Sequence, residues 1–453
     1  MIEKGASATR QARLGVSGRL AVVAIILGVG TATAHAQIDS ENEPDAVADQ
    51  VDDVDAERSA DIDKYTDGPK EVLDENAVFK QVAPRRPIRD ALLTPRFVET
   101  LDEGWRRLND ELDKRARLRF GLAYTLLAQW APDSDAGKQG IGGDLDFTGV
   151  WHALGSHDEG NAGYLGFATE WRHRVGPRSP SALASQFDAF ARTTQAFNEQ
   201  DFALVQLWWA QELFGDTLEI TAGKISTRAF YNTNRLRNQN VAFMNQVFSG
   251  NLAVGLPPRG IGVNVAYRPV ETWYLTGGVH DANGSATAGN FGTLSDGQFV
   301  YIGEFGWTPT FSRIGQGNYR FTPWYSDASR QRGTGVGKGF ALSFDQDLGA
   351  ELIAFMRYAW ADGDSTGADQ TLSGGIAFTR PFGREADLVG LGLGWSEPSE
   401  PTLNEEVVFE VFYRLQLTRT QQLSVGWQAY VTPAFDPDDD VANVFSIRWR
   451  IQF

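Results

Sequence analysis

From Arg117 to the last residue, Phe453, a two-residue hydrophobic period returns in segment after segment. In the first, Leu118, Phe120, Leu122, Tyr124, Leu126, Ala128 and Trp130 share one face, opposite Arg119, Gly121, Ala123, Thr125, Leu127 and Gln129. In the last, Phe445, Ile447, Trp449, Ile451 and Phe453 alternate with Ser446, Arg448, Arg450 and Gln452. Successive side chains of a strand point to opposite faces, so each segment reads as a strand with one apolar and one polar or small side. A soluble sandwich would alternate too, but its strands cluster near about five or six residues, whereas membrane-crossing strands need about 9–11. The segments here are long, and about sixteen can be placed, centred near residues 124, 148, 168, 208, 221, 265, 277, 303, 322, 343, 356, 376, 392, 412, 427 and 447.

The connections alternate as well. Those after even-numbered strands are brief, such as Gly215-Asp216 and Asp347 to Gly349, while those after odd strands are mostly longer, up to Ser226 to Gly260. Outer-membrane barrels combine short periplasmic turns with longer external loops. The expected fold is an all-β, transmembrane antiparallel β-barrel of about 16 strands at 117–453, with both termini in the periplasm of a Gram-negative cell.

The N-terminal quarter is different. Residues 1–36 read as a signal peptide: Arg10, Arg13 and Arg19, an apolar run from Leu20 to Gly30, and Ala34-His35-Ala36 before Gln37. That run is too short to span the hydrocarbon as a helix, which takes roughly 20 residues. Residues 37–96 read as an acidic, disordered periplasmic extension, poor in aromatics and interrupted by prolines. Between Gln37 and Glu75 stand 15 acidic and 3 basic residues, so much of the chain's net charge of −17 is local. Residues 97–116 carry Leu101, Trp105, Leu108 and Leu112 at helical spacing, which predicts an amphipathic helix packed on the barrel mouth.

The two strand faces point to a channel. One is apolar, with Trp130, Trp151, Trp171, Trp307 and Trp395 near strand ends where interfacial aromatic girdles sit. The other holds Glu170, Arg172, Glu212, Arg268, Glu304, Arg320, Arg357, Glu410, Arg414 and Arg448, which predicts a wet interior of mixed charge. Sixteen strands enclose an aqueous passage rather than a filled core. The 226–260 connection combines Arg228, Asn232, Arg235 and Arg237 with Phe230, Phe243, Met244, Val247 and Phe248. So many apolar residues should pack on something, either the inner wall or an external loop network.

Several chemistries find no support. With Cys 0 there is no thiolate site or disulfide. His152, His157, His173 and His280 are dispersed without zinc-type spacing, and Asp436 to Asp440 lacks the glycine and distal glutamate of a calcium loop. No cofactor, metal or catalytic residue is expected, and there is no basic footprint for nucleic acid.

Three stretches resemble the carbohydrate-selective porins of the OprB type. They are Gly104-Trp105-Arg106-Arg107-Leu108 leading into Leu118 to Leu122; Gly223-Lys224-Ile225 with the Asn-rich connection through Phe248-Ser249-Gly250-Asn251; and Glu406 to Tyr413, Tyr430 to Pro433 and the Arg448 to Phe453 ending. The resemblance implies a sixteen-stranded barrel for sugar diffusion with inward-folded loops. Its partners would be small sugars as permeating solutes, outer-membrane lipid and lipopolysaccharide, and the barrel-insertion machinery, which would read the strand ending at Phe453. Sugars offer hydroxyls to charged and amide groups and apolar faces to aromatic rings. The expected solute-selecting residues are therefore Arg119, Glu170, Arg172, Arg320, Trp324 and Arg357 on the wall, with Arg228, Asn232, Arg235 and Arg237 on the long loop. The alternatives are an anion or phosphate porin, an outer-membrane lipid-modifying enzyme, and a structural or adhesin barrel.

Overall fold

The computed structural model describes residues 78–83, 88, 91–134, 137–435 and 441–453; residues 1–36, the acidic stretch 37–75 and Asp436 to Asp440 lie outside them. Two helices come first, α1 (Val78–Val82) and α2 (Arg96–Ala116). Then follow β1 (Leu118–Trp130), β2 (Gln139–Ser156), β3 (Asn161–Arg174), β4 (Gln200–Leu213), β5 (Leu218–Ile225) and, after the one-turn helix α3 (Gln246–Ser249), β6 (Gly260–Val270). The circuit continues with β7 (Trp273–Asp281), β8 (Phe299–Trp307), β9 (Gly315–Ser326), β10 (Gly337–Asp347) and β11 (Leu352–Gly363). It ends with β12 (Ala368–Thr379), β13 (Leu388–Pro398), β14 (Glu406–Gln416), β15 (Gln421–Val431) and β16 (Val441–Gln452). Each strand pairs antiparallel with its sequence neighbours, and β16 pairs with β1, with Tyr124 opposite Ile451 and Trp130 opposite Phe445. The result is a closed sixteen-stranded barrel, to which Thr310–Phe311 adds only a two-residue rung beside β9.

Burial alternates along the strands as the hydrophobic period requires. In β1, Arg119, Thr125 and Gln129 are buried inside, while Trp130 is exposed outside. Trp151, Trp171 and Trp307 are likewise exposed on the outer wall. The start of β1 pairs with β2 but has no strand on its other side, because its contact with β16 begins only at Leu122, opposite Phe453. Helix α2 caps that edge. The Asn109 side chain accepts from Phe120 N at 2.7 Å and donates to Phe120 O at 3.1 Å, imitating a strand rung. Trp105 lies against Phe453, with ring centroids 6.3 Å apart. Arg117, at φ 53, turns the chain from α2 into β1. Leu101 and Leu108 remain exposed and Leu112 is half-buried, so the helix docks mainly through Asn109, Trp105 and an Asp113–Arg119 ion pair.

Within the 37–96 stretch expected to be structureless, Leu92 and Leu93 bond the turn after β14, Arg96 opens α2, and a further segment is ordered. Val78–Val82 is helical, and Val78, Phe79 and Val82 are buried inside the barrel. The acidic composition that argues for disorder stops before these apolar residues, which find a surface to cover.

The turn before β13 is held by Asp387, which accepts from Arg384 Nε at 2.6 Å, Tyr413 Oη at 2.6 Å and Gln416 N at 2.8 Å. Burial alone would raise its pKa; these donors and the nearby Arg384 charge outweigh that and hold it below the usual carboxylate range. A depressed folded-state pKa gives stability that is present above the unfolded value and lost as pH falls through the folded one. Asp387→Asn should therefore lower the thermal midpoint at neutral pH, with the gap to the parent protein closing on acidification. Thermal scans across a pH series in detergent check this; a gap constant with pH would refute it.

Candidate functional site

The interior is shaped by the connections after β3 and β5, both of which fold inward. Strand β13 prepares a seat through Gly390-Leu391-Gly392-Leu393-Gly394, which sends leucines outward and glycines inward. A Cβ at Gly392 would come 2.9 Å from Phe248 and 3.0 Å from Phe243, and one at Gly394 would come 2.5 Å from Val247. The loop thus lies where side chains would otherwise stand. Phe243 is the centre of the contact, with ring centroids 5.0 Å from Phe248, 5.0 Å from Phe412 and 5.3 Å from Phe355.

Around this apolar seat, charged wall residues grip the backbone of the 226–259 loop. Glu410 of β14 accepts from Met244 N at 2.7 Å and Asn245 N at 2.8 Å. Arg357 of β11 donates to Phe248 O at 2.7 Å, Gly250 O at 2.5 Å and Asn232 O at 3.1 Å, and also to the Asn232 side-chain oxygen. Asn232 sits at φ 50, a left-handed conformation that asparagine tolerates, and its N–H donates to Glu304. Arg448 donates to Gln239 O and to Ala242 O, and Arg235 bonds Asp345 and Asp347 of β10. Hydrogen bonds to charged groups are worth about 1.5–3 kcal/mol each, so several together fix a loop that would otherwise be mobile. Within the loop, burial first and the nearby Glu304 second push the Tyr231 phenol up; it donates to Asn264.

The 175–199 loop lies against the first. Glu406 of β14 accepts from Phe190 N and Ala191 N, both at 2.8 Å, and Thr193 Oγ1 donates to Gln129 Oε1 at 2.7 Å. Gln239 Oε1 bridges the loops by accepting from Gln195 N at 2.9 Å and Ala196 N at 2.7 Å. Arg228 returns the link by donating to Gln195 Oε1 at 2.5 Å. Arg192 is exposed beside this junction, where its backbone exchanges hydrogen bonds with Gln246.

Another part of the wall carries a paired-charge network. Glu170 of β3 bonds Arg172 at 2.5 Å and Arg259 at 2.6 Å, and Arg172 also reaches Asn198 at 2.8 Å. The carboxylates of Asp144, Asp146 and Glu170 come within 4.8 Å of one another, with Arg172, Arg259 and Arg450 as the interacting cations. Lys224 of β5 donates to Ala286 O at 2.8 Å and Ala288 O at 2.6 Å, which ties in a third connection, 282–298.

The ten residues singled out from the sequence therefore fall into different environments. Asn232, Arg237 and Arg357 meet in one buried cluster, where Arg237 bonds the backbone oxygens of Arg228, Tyr231 and Asn232. Arg320 is buried between Tyr274 and Asp345, and through Asp345 it shares an anchor with Arg235. Trp324 is buried beneath Gly255 of the loop. Arg119 holds α2, away from the loops. Glu170 and Arg172 form the wall network, and Arg228 and Arg235 remain half-buried on the loop. Sequence reasoning missed Gln195, Gln239, Arg259 and Glu406. The length of the 175–199 connection and the alternate glycines of β13 were the available signals.

Comparison with known proteins agrees with this architecture. Residues 177–453 match the family model described as carbohydrate-selective porin, OprB family. Porin AaxA of Chlamydia felis is 24% identical over 390 residues, covering 81% of this chain and 86% of that protein. Porin AaxA of Chlamydia abortus is 26% identical over 404 residues, covering 83% and 86%. Among solved structures, the high-pH structure of Pseudomonas putida OprB superposes with a TM-score of 0.66 at 17% identity, covering 78% of this chain and 97% of that one.

Proposed function

The chain belongs to the OprB family of carbohydrate-selective porins and is an outer-membrane porin, and on that footing we propose that it passes small carbohydrates and polyols by facilitated diffusion. The observation that carries this reading is the junction of the two inward loops. There Arg228, Gln195, Arg192 and Gln246 offer guanidinium and amide groups at a constriction whose wall charges are largely paired. A neutral polyol can exchange its water for such donors and acceptors, whereas a lumen of one charge sign would favour ions. With short turns at the α2 end and long loops at the other, the proposed orientation places both termini in the periplasm.

Liposome swelling tests the proposal. Neutral monosaccharides and polyols should enter faster than gluconate or phosphate. Arg228→Ala should slow the preferred sugar by about tenfold or more, the factor set by losing roughly 1.5 kcal/mol from one charge-assisted hydrogen bond. Arg192, exposed where the 175–199 loop meets Gln246, is the observation that favours an anion porin instead. Phosphate or gluconate outrunning every sugar would establish that alternative.

A further inference from the structure

Near α2 the inner wall carries an apolar patch of Val150, Tyr164 and Trp208 on β2, β3 and β4. Helix α1 covers it. Phe79 packs on Tyr164 edge-on, with centroids 5.4 Å apart, and on Trp208 at 5.1 Å. Val78 and Val82 are buried beside it. Gly121 of β1 makes room, since a Cβ there would stand 2.5 Å from the Gln81 carbonyl oxygen. Beyond α1, Leu93 N donates to Leu417 O at 2.7 Å in the turn between β14 and β15, and α2 then leads back to β1. That turn lies only two strands from β1 around the closed barrel, because β16 pairs with both β15 and β1.

We propose that Val78–Val82 is a built-in partial plug, seated by its own apolar contacts and separate from the loop constriction. A helix of one turn has too few internal hydrogen bonds to persist alone, so its structure depends on the seat. A charge at Phe79 cannot occupy the patch between Tyr164 and Trp208 without losing its water. Unseating α1 frees cross-section on the β1–β4 side of the lumen, at the α2 end of the barrel and about 20 Å along β3 from Glu170. Ion conductance reports this whichever solute the channel prefers, so failure of the sugar reading would leave the plug standing.

The test is planar-bilayer recording on the full-length protein, on Phe79→Asp and on a deletion of residues 37–83. Heat-modifiable electrophoretic mobility would confirm that each barrel is folded. Conductance is expected to rise about twofold in both variants, because the passage widens at a second constriction in series. Unchanged or lower conductance in the folded deletion overturns the proposal. The deletion also decides if Phe79→Asp does not fold or the two variants disagree.

Discussion

Arg357→Ala is expected to release the 226–259 loop from the wall, raising single-channel conductance severalfold and broadening its distribution. Arg357 is almost wholly buried, and its guanidinium joins three backbone carbonyls and the Asn232 side chain, drawn from both ends of the inward segment. Losing hydrogen bonds to a charged donor costs about 1.5–3 kcal/mol each, so a total of about 3 kcal/mol or more is at stake in the loop's docking. Arg357→Lys should recover only part of it, since an ammonium cannot present the planar fork that reaches Phe248, Gly250 and Asn232 together. The barrel ladder does not depend on this side chain, so the folded form should persist. Bilayer recordings would show the effect; a narrow conductance distribution equal to that of the parent protein would mean that the aromatic seat alone holds the loop.

Leu393→Arg should impair the barrel itself. Leu393 stands at the centre of β13, more than half exposed on the outer wall. A charge at mid-bilayer on that face costs about 2–4 kcal/mol. Urea titration of refolding into lipid vesicles should show a loss of that size, while Leu393→Phe stays near the parent value. An unaffected titration for Leu393→Arg would contradict the assignment of faces along β13.

The barrel was legible because its information is local. Every strand carries its own alternation, and the turn residues between strands set the order around the circuit, so the sixteen centres could be placed without knowing any contact. The inward loop was half legible: Phe243, Val247 and Phe248 demanded a surface, but only the barrel shows that Gly390, Gly392 and Gly394 supply it. The 175–199 loop gave less warning, because its grip comes from backbone N–H groups meeting Glu406, a pairing more than two hundred residues apart in sequence. Single-residue roles were the least legible. Arg228 and Arg357 look alike as inward or loop arginines, yet one bridges two loops at the junction and the other is sealed behind a loop. Which role an arginine takes depends on what covers it, and that is settled only by tertiary folding. Helix α1 shows the same limit from the other side, since Val78, Phe79 and Val82 look unremarkable until Tyr164 and Trp208 stand opposite them.

The most direct test of the central claim is single-channel current through the purified full-length protein while glucose is raised through the millimolar range. A sugar-conducting constriction predicts a saturable, reversible fall in ion current as glucose occupies the junction of the loops, with little selectivity between small anions and cations. A current indifferent to glucose, together with a strong preference for phosphate or chloride over potassium, would contradict it.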